Sequence, residues 1–145
     1  MAEPWSGIER RLERLDDCLS KLEALAPRPR ADFDADPILR DVAERNFEVA
    51  GQCAIDIAMR IIAMEQAPRT SDGGEAIRRL AELSVLPKEF ARTLAPIAGF
   101  RNVLAHEYLD VDWDLVHAHF AKLADLRAFA SHVRAWLRAR GPGPS

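Results

Sequence analysis

Cysteine and long apolar runs are both scarce in this sequence, and each scarcity excludes a class of protein. Only two cysteines occur, Cys18 and Cys53, so neither a disulfide framework nor a cysteine-based zinc site is expected. No stretch reaches the roughly 18 uncharged apolar residues that a membrane span requires. The first fifteen residues lack the apolar core of a signal peptide. The sequence therefore predicts a cytoplasmic protein with two buried, reduced thiols and no membrane contact.

Signatures of several enzyme classes are also missing. There is no glycine-rich phosphate loop, no G-x-S-x-G elbow and no H-E-x-x-H motif. Asp110, Asp112 and Asp114 alternate like the start of a calcium loop, but the glycine and glutamate that this loop needs further on are absent. His117 and His119 would point about 200° apart on a helix, which disfavours a shared metal ion. We expect no metal site and no cofactor.

The composition that remains is typical of one globular domain. Apolar residues make up 48% of the 145 residues and charged residues 30%. A chain of this length can bury roughly 68–70% of its unfolded surface, which is enough for a core without disulfides or metal. We expect a single domain over residues 1–145, with a frayed tail at about 141–145.

The periodicity of the apolar residues indicates helix throughout. They recur at intervals of three and four, and no run alternates long enough to form a strand. The pattern predicts five helices: about 6–25, 37–66, 74–84, one from Pro87 to just before Asp110, and about 113–139. Pro96 is expected to kink the fourth of these. The predicted fold class is all-α, an up-and-down bundle of about five helices.

The charge is distributed unevenly. Residues 121–145 carry five basic residues against one acidic residue, a balance of +4, which leaves −7 for residues 1–120 out of a net charge of −3. The overall sign disfavours a dedicated duplex-DNA-binding protein. Two interpretations of the basic C-terminal segment stay open: cations that suit the dipole at a helix C-terminus, or a patch that binds phosphates.

The residues with most chemistry lie in the stretch GFRNVLAHEY at 99–108. On a helical wheel at 100° per residue, Arg101, Asn102 and His106 share one half, and the apolar residues fill the other. Their neighbours on the polar half are small, which leaves room for a ligand or another chain. Histidine moves protons near neutral pH, and an arginine fork binds a phosphodiester. The spacing alone favours an exposed helical face on which Asn102 and His106 form an incidental i,i+4 pair.

This set of side chains suits metal-free attack of a ribose 2′-hydroxyl on the adjacent phosphate, which yields a 2′,3′-cyclic phosphate. The reaction needs both a base and an acid, and one chain offers a single histidine at the motif. A two-fold dimer would bring two copies of Arg101 and His106 to one cleft. We therefore expect the bundle to dimerise.

The stretch GFRNVLAHEYLDVDWDLV resembles the signature of the HepT-like ribonuclease toxins of the HEPN superfamily, which is Arg-x4-His followed by x-Tyr. The similarity extends over about residues 5–138 and includes RNFEVAGQCAIDIAMRII in the second predicted helix and SVLPKEF before the fourth. Arg60 departs from the family pattern, because members often have histidine before the two aliphatic residues. The combination of these segments is more specific than the Arg-x4-His spacing alone.

The resemblance implies a homodimeric, metal-independent endoribonuclease that cleaves RNA as the toxin of a toxin–antitoxin pair. Arg101 and His106 would be catalytic, with Asn102 in a supporting role. The implied partner is a minimal nucleotidyltransferase antitoxin of the MntA type, which neutralises such toxins by transferring AMP to the motif tyrosine. In this chain that residue is Tyr108, the sole tyrosine.

Charged and polar residues also form a ridge along the second predicted helix, at positions 41, 45, 48, 52, 56 and 60. Most ridges of this kind are solvated faces with i,i+4 ion pairs. The alternative is that part of the ridge lines the dimer cleft, where Glu48 or Asp56 would position Arg101. Both interpretations stay open.

Two other functions remain compatible with the sequence. One is a non-catalytic helical module that binds a nucleotide or substrate beside a nucleotidyltransferase. The other is a plain helical oligomerisation protein. The full Arg-Asn-x3-His-x-Tyr set favours the enzyme over both.

Overall fold

The computed structural model describes residues 4–107 and 109–141, with side chains from residue 7 onward. Eight α-helices occupy this part of the chain: α1 (Pro4–Leu25), α2 (Arg30–Ala35), α3 (Pro37–Met64), α4 (Gly73–Glu82), α5 (Lys88–Leu94), α6 (Ile97–His106), α7 (Trp113–His119) and α8 (Leu123–Arg140). A 3-10 turn, Phe120–Lys122, joins α7 to α8. The described residues contain no strand, so the all-α fold class is confirmed.

The first three long predicted helices correspond to α1, α3 and α4. Asp36 accepts a hydrogen bond from the Ile38 amide and caps α3, whose first residue is a proline, as expected for a helix start. The helices α3 and α4 end about two residues before the predicted limits. Their ends coincide with Gln66 and Ser84, whose φ angles of 54° and 61° are left-handed and stop a helix.

The other two predicted helices are each divided into two. The helix α2 lies between the first two predicted helices, where no helix was predicted. Pro96 breaks the fourth predicted helix into α5 and α6 rather than only kinking it, because proline has no amide hydrogen to continue the ladder. The fifth is interrupted by the 3-10 turn before α8. The six-residue α2 buries Phe33, which explains why a polar segment forms a turn of helix.

The core surrounds α3, which packs against α1, α2, α4 and α6, while α8 covers another side of α1. The stripe predicted for α1 is buried along its length: Ile8, Leu12, Leu15, Leu19 and Leu22 are each at most 1% exposed. Each such side chain contributes roughly 1.5–3 kcal/mol on burial. Phe33, Phe47 and Phe120 form an aromatic cluster where α2, α3 and the 3-10 turn meet.

Cys18 and Cys53 are both buried and free, as expected for small apolar side chains. Burial raises the pKa of both thiols, and that of Cys53 reaches about 11. Neither is therefore a reactive thiolate near neutral pH.

Arginines of the basic C-terminal segment mostly bind carboxylates of other helices. Arg127 donates to both Glu23 oxygens, at 2.7 and 3.0 Å, and to Asp16 at 3.2 Å. Arg134 donates to Asp16 at 2.6 Å, and Arg140 pairs with Glu65. The fold therefore engages these three arginines in ion pairs rather than in a phosphate-binding patch. The four residues Asp16, Glu23, Arg127 and Arg134 are called the α1–α8 interface below.

Among the helices that the structure describes, none is long and apolar enough to cross a membrane.

Candidate active site on α6

The motif residues lie on the outer side of α6. Ile97, Phe100 and Leu104 are buried and hold this helix against the core, whereas Asn102 and His106 are exposed and Arg101 is half-buried. The structure thus separates the polar half from the apolar half as the helical wheel predicts.

Ala98 lines the same depression as Gly99, Arg101 and Asn102, but it is itself only 6% exposed. It is buried where α6 meets the start of α4: a methyl group added at Gly73 would lie 3.2 Å from its Cβ. Gly99 is exposed, and a methyl group added there would meet nothing within 4 Å. The open part of the floor is therefore at Gly99.

The stem of Arg101 crosses α3 at Gly51. A methyl group at Gly51 would lie 2.9 Å from Cβ and 3.3 Å from Cγ of Arg101, closer than carbon atoms normally pack. Glycine at this position lets the arginine side chain approach the α3 backbone. The crossing of α3 and α6 therefore fixes the direction in which the guanidinium leaves the helix.

The guanidinium group of Arg101 is held by its neighbour. Its Nη1 donates to Oδ1 of Asn102 at 2.7 Å. Its Nε is buried and has no hydrogen-bond partner among the described residues, and neither has Oε1 of Gln52 in the same depression. Such unpaired buried groups are uncommon and costly.

His106 is the last residue of α6. The amide of Glu107 still donates to the Val103 carbonyl. The backbone angles of Glu107, φ −115° and ψ 36°, are no longer helical and end α6. The imidazole ring is exposed and forms no hydrogen bond or ion pair with the rest of the described chain. It is therefore accessible for proton transfer to a bound molecule.

Arg101 and His106 leave α6 in different directions. Five residues of helix separate them, which corresponds to about 7.5 Å along the axis and roughly 140° around it. One chain consequently presents the two groups to different sides of α6. Tyr108 lies outside the described residues, and the next residue, Leu109, is 82% exposed.

The ridge along α3 is mostly paired on its own side. Oε1 of Glu48 lies 3.7 Å from Nη1 of Arg45. Asp56 accepts a hydrogen bond from Gln52 at 2.7 Å, and its Oδ2 lies 3.7 Å from Nε of Arg11 on α1. Neither Glu48 nor Asp56 contacts Arg101 within this chain; Asn102 occupies that role instead.

Two histidines outside the motif are structural. The ring of His119 stacks on Phe100 with centroids 3.6 Å apart, and its Nδ1 lies 2.9 Å from the Leu115 carbonyl. Burial lowers the pKa of His119, so the neutral ring is favoured. His117 packs near Phe33 instead. The contact between His119 and Phe100 has no signal in the sequence, because the two residues belong to different helices.

Of the alternating aspartates Asp110, Asp112 and Asp114, Asp112 caps a helix. Asp112 accepts a hydrogen bond from the Asp114 amide and caps α7, as the sequence predicted for a helix start. In the part of the chain that the structure describes, no group of three histidine, cysteine, aspartate or glutamate side chains is placed to hold a metal ion.

Comparison with known proteins gives a family match over most of the chain. The family described as "Ribonuclease HepT-like" matches residues 15–133. The tRNA nuclease HepT of Aphanizomenon flos-aquae is 31% identical over 105 residues, which cover 72% of this chain and 71% of that protein. The mRNA nuclease HepT of Shewanella oneidensis is 25% identical over 104 residues, 71% of this chain and 78% of that protein.

Solved structures share the same fold at lower identity. The tri-AMPylated HEPN toxin of Shewanella oneidensis, in complex with an MNT antitoxin, superposes with a TM-score of 0.79 at 20% identity and covers 93% of this chain and 99% of its own. YutE, a cytosolic protein of unknown function from Bacillus subtilis, has a TM-score of 0.82 at 19% identity and covers 99% and 96%. The match over residues 15–133 and the 31% identical relative establish that the chain belongs to the ribonuclease HepT-like family.

Proposed function

We propose that this protein is a metal-independent endoribonuclease toxin whose active site is formed by the α6 helices of two copies. The observation that carries the proposal is Arg101, whose stem is packed at Gly51 and whose guanidinium is held by Asn102, on the same short helix as an exposed His106. Similarity to proteins named tRNA nuclease and mRNA nuclease supports RNA as the substrate. Such a protein acts in the cytoplasm.

In this mechanism the neutral imidazole of His106 accepts the proton of a ribose 2′-hydroxyl. The 2′-oxygen attacks the adjacent phosphorus, and the bond from phosphorus to the 5′-oxygen of the next nucleotide breaks. The Arg101 guanidinium binds the non-bridging oxygens and stabilises the charge that develops on them. Asn102 keeps the guanidinium in place. The products are a 2′,3′-cyclic phosphate and a 5′-hydroxyl end.

The leaving 5′-oxygen needs a proton, and the second copy supplies it in this proposal. Because Arg101 and His106 diverge by about 140° around α6, a two-fold pairing of α6 helices would place the histidine of one copy opposite the arginine of the other. One imidazole then acts as base while the other, in its protonated form, acts as acid.

The regulatory partner in this proposal is a minimal nucleotidyltransferase antitoxin of the MntA type. It would transfer AMP from ATP to the phenolic oxygen of Tyr108, with pyrophosphate as the leaving group. The likeness in fold to a tri-AMPylated toxin solved with its MNT antitoxin supports this idea. Tyr108 belongs to the same motif as Arg101, seven residues further along the chain, and in this proposal the attached phosphate competes with RNA for the Arg101 guanidinium.

The central experiment compares RNA cleavage by the parent chain with that of Arg101→Ala and His106→Ala. We expect each variant to lose at least about a hundredfold in rate while its helical circular dichroism stays unchanged. Arg92→Ala is the matched control, since Arg92 is exposed on α5 and pairs only with Glu89 on its own helix. Normal cleavage by either motif variant would reject the site. A chain that binds RNA without cleaving it would support the non-catalytic binding module instead.

The chemistry of the reaction has its own test. Cleavage should survive a strong chelator, and the products should carry 2′,3′-cyclic phosphate ends. Activity that disappears with chelator and returns with magnesium would point to a metal-dependent mechanism.

Regulation is tested with the cognate nucleotidyltransferase and ATP. Mass spectrometry should find AMP-sized additions on Tyr108, with loss of cleavage. Tyr108→Phe removes the acceptor oxygen but keeps the ring, so it should escape inactivation. Modification of another residue, or equal silencing of the Phe variant, would contradict the assignment of Tyr108.

A further inference from the structure

A second depression, of about 460 Å³, lies beside the depression that contains Arg101, and residues of α3 line both. Its walls come from three elements: Arg11 of α1, Asp56 and Arg60 of α3, and Arg69 with Thr70 of the segment between α3 and α4. The depression that contains Arg101 has a volume of about 420 Å³. The two share Met59, and Thr70 of one is followed directly by Ser71 of the other. The two adjoining depressions are together called the α3 groove below.

The end of the α3 groove away from the motif is positively charged. Of the described residues, three guanidinium groups line it against one carboxylate, that of Asp56, whose Oδ2 lies 3.7 Å from Nε of Arg11. Arg60 and Arg69 are exposed, and no carboxylate of the described residues lies within 4.0 Å of either. Two cations without a protein counter-ion thus face the same groove, which favours an anionic ligand.

Three contacts connect the charged end of the groove to the surrounding structure. The Arg11 guanidinium donates to the Gly7 carbonyl at 3.1 Å. Arg60 lies against the α1 backbone: a methyl group added at Gly7 would be 2.6 Å from its Nη1. Arg79 of α4 bonds to the Pro68 carbonyl, immediately before Arg69. Arg11 and Arg60 thus lie against α1 at the charged end of the groove.

The distance to the motif fits a strand of nucleic acid. Arg101 crosses α3 at Gly51, and Arg60 is nine residues further along the same helix, or about 14 Å. A stacked strand advances about 3.4 Å per nucleotide, so about four nucleotides span this distance. Among the described residues, the basic end of the groove is lined by arginines, a hydroxyl and the Asp56 carboxylate and by no aromatic ring, which suits contacts to phosphates rather than stacking on bases.

We propose that the α3 groove binds the phosphates of single-stranded RNA about four nucleotides away from the bond that is cut, through Arg60 and Arg69. This inference rests on the proposed ribonuclease function. It assigns to Arg60, which departs from the family pattern, the task of positioning the substrate. The protein consequently cleaves long strands more efficiently than very short ones.

The first test measures binding in the His106→Ala background, where RNA stays intact. A fluorescent single-stranded RNA of about twelve nucleotides is titrated at several salt concentrations. Removing both groove arginines, Arg60→Ala with Arg69→Ala, should weaken binding roughly tenfold at low salt and reduce the slope of log K against log salt by about 1.4. The control pair, Arg14→Ala with Arg92→Ala, removes arginines bound to carboxylates on their own helices and should change neither value.

The second test measures cleavage with His106 present. The double groove variant should raise KM several-fold on the long RNA and leave the cleavage of a dinucleotide unchanged, because a dinucleotide does not reach Arg60. Lysine at both positions should restore most of the binding, since it keeps the charge.

The outcomes separate this inference from the proposed function. If the parent chain cleaves nothing, the ribonuclease proposal fails, while the binding test still decides whether the groove holds RNA. If the double variant binds and cleaves long RNA like the parent, the groove proposal is wrong and the motif is untouched. Loss of binding to the nucleotidyltransferase without loss of RNA binding would identify the groove as a protein-docking site and overturn the proposal.

Discussion

The arginines of the α1–α8 interface and those of the α3 groove are chemically identical but differ in what surrounds them. Arg127 and Arg134 point across to Glu23 and Asp16 and bind them at 2.6 to 3.2 Å. Arg60 and Arg69 have no such partners in the described chain. The first group joins two helices, and the second leaves its charge available to a ligand.

This difference teaches that the net charge of a segment does not locate an anion-binding surface. Residues 121–145 have a balance of +4, yet the acidic residues that neutralise part of it belong to residues 1–120. The groove arginines lie in the segment with the negative balance. Pairing across the packed helices decides which cations stay available, and that pairing exists only in the folded molecule.

The largest effect is expected where the groove and the motif meet. Gly51→Ala would place a methyl group 2.9 Å from Cβ of Arg101, so it should lower the free energy of unfolding by about 1–3 kcal/mol. RNA cleavage by the folded fraction should fall as well, because Arg101 has to move. Urea denaturation and a cleavage assay measure the two effects.

Gly99→Ala is the matched control for Gly51→Ala. Both glycines are helical, but a methyl group at Gly99 meets nothing within 4 Å. Alanine there should raise the free energy of unfolding by roughly 0.5–1 kcal/mol. Equal effects of the two substitutions on stability would contradict the close crossing of α3 and α6.

A smaller effect is expected at the α1–α8 interface. Asp16 accepts hydrogen bonds from both Arg127 and Arg134, and its side chain is 35% exposed. Because water screens these pairs, Asp16→Ala should cost only about 1 kcal/mol of stability. RNA cleavage per folded molecule should not change.

The neighbouring residue offers the control. Asp17 bonds to Arg14 and Lys21 of its own helix, and pairs of this kind contribute a few tenths of a kcal/mol. Asp17→Ala should therefore be milder than Asp16→Ala in the same denaturation experiment. If Asp17→Ala proved the more damaging of the two, the interface would not be what joins α8 to α1.

The smallest effect concerns pH and extends the comparison to the histidines. The pKa of His119 is lowered below its usual 6.5 by burial, so the unfolded chain binds its proton more readily than the folded one. This contribution to stability is complete above about pH 6.5 and is lost as the pH falls toward the lower, folded pKa. Urea midpoints between about pH 7.5 and 5.5 should decline, and His119→Gln should flatten that decline. An unchanged slope in the variant would assign the decline to other groups.

Much of the helical frame was predictable from the sequence because local periodicity encodes it. The buried stripe of α1 and the start of α3 at Pro37 follow from spacing and capping alone. The sequence marks Pro96 as a disturbance but does not tell a kink from a break, and the 3-10 turn at Phe120–Lys122 has no local signal.

The candidate site was predictable only in part. The polar face of Arg101, Asn102 and His106 follows from the wheel, but the crossing at Gly51 does not, since nothing local pairs residue 51 with residue 101. The α3 groove has no sequence signature for a similar reason. Its charged walls come from three separate segments, which only the tertiary fold brings together.

The α1–α8 interface can form only after almost the whole chain has been synthesised. Glu23 and Arg127 are separated by 104 residues and Asp16 and Arg134 by 118, and closing so long a loop has a considerable entropic cost. On the ribosome, α6 emerges well before α8 exists. The side of α1 that α8 will cover therefore stays exposed until translation has nearly finished. A message truncated before α8 would yield a chain that carries the whole motif, with α1 still packed on α3 but uncovered on the side that faces α8.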